Sequence, residues 1–99
     1  MKQFTTAELD TAIASGKTIV VDFFATWCGP CKMLAPIFES AAAKAGDKAE
    51  FGKVDIDTET KLVARYGIQS VPTIMAFKAG EVSYRNSGIV SESVLLEQI

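Results

Sequence analysis

The stretch Ile19-Val20-Val21-Asp22-Phe23-Phe24-Ala25-Thr26-Trp27-Cys28-Gly29-Pro30-Cys31 changes character in its middle. The run from Thr18 to Ala25 is β-branched and aromatic and too continuous for a half-exposed strand, so it reads as a central strand covered on both faces. Trp27 then marks a turn, and Gly29-Pro30 enters a helix, because proline suits a first helical position whose N–H would go unpaired anyway. Cys28 and Cys31, the only cysteines of the chain, flank that entry. As an i, i+3 pair their Cβ atoms would lie roughly 5–6 Å apart in regular helix, whereas a relaxed disulfide wants about 3.8 Å. A small local adjustment closes the bridge, and it opens without moving the rest of the fold. Reversible thiol chemistry is the first expectation.

Working outward, the apolar residues Leu34, Ile37, Phe38, Ala41 and Ala45 recur on one helical face that closes at Gly46. Pro36 lies inside that helix and removes the N–H that would bond the Lys32 carbonyl, so a bend is expected there. Upstream, Thr5-Thr6-Ala7-Glu8 reads as a capping box before the stripe Leu9, Ala12 and Ile13, which ends at Gly16. Downstream, Glu50 to Ile56 alternates as a strand, with Gly52, Val54 and Ile56 on one side and Phe51, Lys53 and Asp55 on the other. Asp57 or Thr58 is expected to cap a short helix carrying Leu62, Val63 and Tyr66 and stopping at Gly67. Thr73 to Phe77 is a second continuous apolar strand. Ala79-Gly80 turns it into an edge strand, Glu81 to Arg85, in which Val82 and Tyr84 alternate with polar residues. Ser91 and Glu92 open a last helix that buries Val94, Leu95 and Ile99. With a weak first strand near Lys2 to Thr5, strands alternate with helices and finish in a hairpin. That order predicts an α/β domain with a mixed sheet and helices on both faces.

Composition narrows the function. Ninety-nine residues, 48% hydrophobic and 22% charged, fit one soluble domain spanning residues 1–99. A net charge of -2 with scattered lysines leaves no basic footprint for nucleic acid. The longest uncharged stretch, Tyr66 to Phe77, falls short of the about 20 apolar residues of a membrane helix and is broken by Gly67 and Pro72. The start, Met1-Lys2-Gln3-Phe4-Thr5-Thr6, has no apolar core behind its one charge, so a cytoplasmic location is expected unless a leader was removed. In that compartment a structural disulfide is unusual, which favours catalytic or metal-binding cysteines. The chain has no histidine. Haem attachment is therefore excluded, since Lys32 follows Cys31, and a cysteine hydrolase would lack its usual base. Structural zinc wants four ligands and would need sharing between chains or help from carboxylates.

The two sulfurs receive different expectations. Cys28, just ahead of the helix, faces unpaired N–H groups and the positive end of the macrodipole, which favour its thiolate and make it the predicted nucleophile. Cys31, one turn further in, is expected to be more shielded and to resolve the mixed disulfide. Inert packing is the alternative for a lone cysteine pair, but Trp27 in a turn and the fixed Gly29-Pro30 entry argue against it. Asp22, in a strand buried on both faces, should have its pKa raised by desolvation and is the candidate proton acceptor for Cys31. Otherwise its side chain points to a strand end or a water-filled pocket. Lys53 could reach Asp22 and tune it, although a lysine in a strand is ordinarily just solvated. Pro72 enters a continuous strand at its first residue, and X-Pro preferences alone favour a trans bond.

These residues, namely Val21-Asp22-Phe23, Ala25, Trp27 through Lys32, Ala35-Pro36, Lys53-Val54-Asp55, Tyr66-Gly67-Ile68, Val71-Pro72-Thr73, Phe77, Gly80 and Gly88, resemble the thioredoxin family in type and order over most of the chain. The resemblance implies a three-layer fold with a five-stranded mixed sheet, order 1-3-2-4-5, flanked by four helices. It implies Cys28 as nucleophile, Cys31 as resolving thiol, Asp22 as buried acid/base and Lys53 as its partner. It further implies that Pro72 is cis beside the dithiol. Trp27, Gly29, Pro30, Val71, Pro72, Gly88 and Ile89 would line a shallow surface that docks an extended substrate segment. The activity implied is that of a general protein disulfide reductase and electron carrier. It would act as a monomer on disulfide-containing clients, with no bound cofactor beyond the reversible Cys28–Cys31 disulfide. Electrons would come from a separate thioredoxin reductase, either an NADPH flavoprotein or an iron-sulfur enzyme. Two departures stand out: Phe24 replaces a frequent second tryptophan, and both ends are short. A binding, processivity or scaffold module with incidental redox turnover is the alternative. A glutathione-dependent, glutaredoxin-like activity is a third reading, disfavoured by Gly29-Pro30.

Overall fold

The two continuous apolar runs lie side by side at the centre of the sheet in a computed structural model that describes residues 1–99. Strand β1, Ile19–Phe24, is buried at every position, and β3, Thr73–Lys78, at all but the last. With β2 (Glu50–Asp55) and β4 (Glu81–Ser87) they form the order β2-β1-β3-β4. The β1–β2 pair is parallel, while β1–β3 and β3–β4 are antiparallel. A parallel pair needs a crossover, supplied by helix α2, Gly29–Ala45, and a short 3₁₀ turn at Gly46–Lys48. The hairpin turns at Ala79 and Gly80, with φ of 52° and 83°, as a two-residue turn matched to strand twist requires.

Alternation along β1 distributes its side chains between two cores. Ile19, Val21 and Phe23 pack with Leu9 of α1 (Thr6–Ala14) and Leu62 of α3 (Thr60–Tyr66). On the other face Val20 joins Leu34, Phe38 and Ala41 of α2 and Leu95 of α4 (Glu92–Leu96), with Phe38 and Phe51 in ring contact at 5.1 Å between centroids. The predicted helix faces and the Thr5–Glu8 capping box are present.

Three local expectations are corrected. The first strand shrinks to a single parallel bridge, Gln3 to Lys53, flanked by Phe4 N–H donating to the Lys53 carbonyl (2.8 Å) and Lys53 N–H to the Lys2 carbonyl (2.9 Å). Its place beside β2 is the one expected, but the sheet has four full strands, because the Thr5 amide is taken by Glu8 Oε1 at 2.9 Å as α1 begins. Neither Asp57 nor Thr58 caps α3. The residue preceding it is Glu59, whose carboxylate instead accepts from the Thr6 amide (2.8 Å) and hydroxyl (3.1 Å), while Asp57 turns toward Trp27. Finally, a bulge in β4 sets Tyr84 opposite Ala76 but Val82 opposite Phe77. The extra residue flips the alternation, so Tyr84 packs in the α2 core and Val82 lies exposed.

Candidate active site

The strand-to-helix corner places Cys28 as the N-cap of α2, in extended backbone (φ −90°, ψ 118°), with Pro30 just inside the helix. Cys28 and Cys31 are joined as a disulfide with Cα atoms 5.3 Å apart, within the usual range for such bridges. Cys28 Sγ accepts the Cys31 N–H at 3.2 Å, as an N-cap side chain accepts from the N3 amide. It also lies 3.7 Å from the Val71 carbonyl oxygen. Helix position distinguishes the two cysteines more than burial does. Cys28 is 5% exposed and Cys31 3%, so the expected difference in shielding is small.

Asp22, on the strand that leads into the dithiol corner, is completely buried. Strand alternation sets it between Val20 and Phe24, on the face that α2 covers; Phe24 packs with Cys28 and Cys31. Neither Asp22 oxygen accepts a hydrogen bond from the protein. Burial pushes its pKa up to about 6, with the charge of Lys53 pulling the other way, as desolvation of a carboxylate requires. Its place inside β1 removes the strand-end alternative. Lys53 is the cross-strand partner of Asp22 in the parallel register, half-buried, and its ammonium lies over the Phe24 ring, 4.5 Å from the centroid. No ion pair joins it to Asp22. A cleft of about 240 Å³ opens among Phe24, Ala25, Thr26, Cys31, Lys32, Ala35 and Lys53.

On the outer side, Trp27 is 68% exposed, and its Nε1–H donates to Asp57 Oδ2 at 3.0 Å. The Val71–Pro72 bond is cis, as the family resemblance implied and contrary to the reading from X-Pro preferences alone. The Pro72 carbonyl accepts from Gly88 N–H at 2.8 Å, joining the turn before β3 to the end of β4. Gly88 has φ of 99°, a left-handed conformation that favours glycine. Ile89, next to it, is exposed, as are Gly29 and Pro30. One contact at the site, that of Asp57 with Trp27, has no counterpart in the sequence pattern. The sequence offers Asp57 or Thr58 as a helix cap, although an acidic residue in the turn after a strand is equally free to meet a neighbouring indole.

No three Cys, Asp or Glu side chains gather as a ligand set for a metal. A closed two-residue dithiol loop at a helix N-terminus, on a mixed sheet covered by helices, defines a thiol–disulfide oxidoreductase. The thioredoxin family model matches residues 1–99. The chain is 42% identical over 98 residues to the thioredoxin of Mycoplasmoides gallisepticum, covering 98% of this chain and 97% of that one. It is 46% identical over 77 residues to the thioredoxin of Staphylococcus aureus, covering 78% and 73%. The solved structure of Plasmodium falciparum thioredoxin superimposes with a TM-score of 0.90 at 35% identity, covering 99% and 98%. The chain belongs to the thioredoxin family. It is a protein-disulfide oxidoreductase whose redox group is the Cys28–Cys31 pair rather than a prosthetic group.

Proposed function

We propose that this protein is a general protein disulfide reductase in which Cys28 attacks and Cys31 resolves. The single observation that carries the order of attack is the position of Cys28 Sγ, as acceptor of the helix N-terminal amide of Cys31, where thiolate charge is stabilised. In the reduced protein the Cys28 thiolate attacks one sulfur of a client disulfide. A mixed disulfide forms and the first client thiolate leaves. Cys31, giving its proton to the Asp22 carboxylate, then attacks Cys28 Sγ; the Cys28–Cys31 bond forms and the second client thiolate leaves. Two electrons pass to the client, and its two thiolates take up one proton returned by Asp22 and one from solvent.

A carboxylate raised to about 6 stands closer to a thiol in proton affinity than an ordinary aspartate and is still largely ionised at neutral pH. That match supports Asp22 as the acceptor. Lys53 modulates it through its charge. Trp27, Gly29, Pro30, Val71, Pro72, Gly88 and Ile89 form the client platform, with the backbone of Val71 next to Cys28 Sγ available to pair with an extended client segment. The oxidised protein is recharged by a separate thioredoxin reductase, an NADPH flavoprotein or iron-sulfur enzyme, and the protein acts as a cytoplasmic monomer.

Turnover tests this directly. With dithiothreitol as electron source, the wild-type chain is expected to accelerate reduction of a disulfide-bonded protein, and the Cys28→Ser/Cys31→Ser variant to lose that acceleration. Undiminished activity in the double variant would favour a binding module. Turnover driven efficiently by glutathione alone would favour a glutaredoxin-like carrier.

A further inference from the structure

Lys53 and Asp22 are neighbours across the parallel β1–β2 register, yet they do not pair. The Asp22 oxygens accept no hydrogen bond, and the salt bridges of the molecule lie elsewhere, at Lys44–Glu92 and Arg65–Asp10. The Lys53 ammonium instead sits over the ring of Phe24, which follows Asp22 by two residues and therefore shares its face of the sheet. A buried carboxylate should draw a half-buried ammonium strongly. The ring offers a competing site, since an ammonium over an aromatic face is held by the negative quadrupole. Phe24 is nearly buried, so its ring has a fixed place from which to compete.

We propose that Phe24 is a positioning residue: its ring holds the Lys53 ammonium at a remove from Asp22, and so sets how readily that carboxyl gives up and takes back its proton. This deepens the proposed mechanism, and it rests on that reading only for its consequence in catalysis. Other ionisable groups around Asp22 are few. On the covering helix, Cys31 and Lys32 line the cleft beside Phe24. On β2 the same-face neighbour Asp55 is the partner of Phe24 in register and accepts from the Asp57 amide. The β3 partner of Asp22 is apolar Ile74. Of the two lysines beside Phe24, only Lys53 lies over its ring, so Lys53 is the cation that the ring can steer.

The test is the titration midpoint of Asp22, followed by the carbon-13 shift of its carboxyl in the oxidised protein, where the disulfide leaves no thiol to titrate nearby. With Phe24→Leu the midpoint should fall by about half a pH unit or more, at least a threefold change in the ionisation constant, as the freed ammonium moves toward the carboxylate. Phe24→Trp, which restores an aromatic face, should hold the wild-type midpoint within about a tenth or two of a unit. Phe24→Leu also admits water, so the decisive comparison uses Lys53→Met. In that background the same Phe24→Leu change should produce less than half the shift. An unmoved or raised midpoint in Phe24→Leu, or an equal fall with and without Lys53, would overturn the proposal. The outcome is independent of whether Asp22 serves Cys31, because that reading is tested separately by the pH dependence of mixed-disulfide resolution in Asp22→Asn.

Discussion

At the scale of single residues, a carboxyl that is fully buried and meets no hydrogen-bond donor, as Asp22 is, favours its neutral form. Its pKa, raised from 3.8 to about 6, means that the folded state holds this proton more tightly than the unfolded chain does. Asp22 therefore adds stability below about pH 4 and loses that contribution as pH rises through about 6, a swing of about 3 kcal/mol. Relative to wild type, Asp22→Asn should gain about 3 kcal/mol in unfolding free energy between about pH 3.5 and about pH 7.5, measured by urea titration. A constant offset across that range would contradict the raised pKa. As a mixed disulfide with a client on Cys28, the same variant should resolve roughly 10²-fold or more slowly at neutral pH, the usual scale for a lost general base. The burial of Asp22 was legible in the run Thr18 to Ala25, because strands covered on both faces read as unbroken apolar sequence. The perch of Lys53 on Phe24 was not, since it depends on a side-chain choice between two attractive neighbours.

Among the elements, the N-terminal segment shows how a strand can be curtailed and still place the chain. Only Gln3 bridges to β2, yet the Phe4 ring fills the space over Gly52, where an added Cβ would meet it at 2.2 Å. Gly52→Ala should therefore cost about 1–3 kcal/mol, the range for overpacking a core, read as a lower midpoint of chemical unfolding. An unchanged midpoint would mean that Phe4 yields easily. At the other end, α4 has five residues and its N-cap Ser91 accepts from the Val94 amide at 3.2 Å. Ser91→Ala should cost about 1 kcal/mol and loosen the helix, visible as faster amide exchange at Leu95. Helices α1 and α2 were legible because their caps and apolar stripes are local. The β4 bulge and the start of α3 were not. Asp57 and Glu59 are drawn off to Trp27 and Thr6, which are close only once the chain has folded.

Over the whole molecule, the sheet carries a core on each face, and β1 belongs to both. Phe23 and Phe38, on opposite faces, should therefore report on one cooperative unit. Phe23→Ala and Phe38→Ala are each expected to cost about 3–5 kcal/mol, a large share of the roughly 5–15 kcal/mol of a typical domain. Each should also retain a single unfolding transition by both circular dichroism and fluorescence. Two separated transitions would show that the layers fold independently. At this scale the alternation of strands and helices announced a mixed, doubly covered sheet. The approach of Val71-Pro72 and Gly88 to the dithiol joins segments far apart in sequence, so it was legible only through the family resemblance. The central claim, that Cys28 attacks and Cys31 resolves, is tested most directly by mixing reduced Cys31→Ser and Cys28→Ser variants separately with a disulfide-bonded protein and mapping any covalent adduct. Stable mixed disulfides on Cys28 in the first variant, and few or none on Cys31 in the second, are the expected result. Adducts accumulating on Cys31 while Cys28 stays free would contradict it.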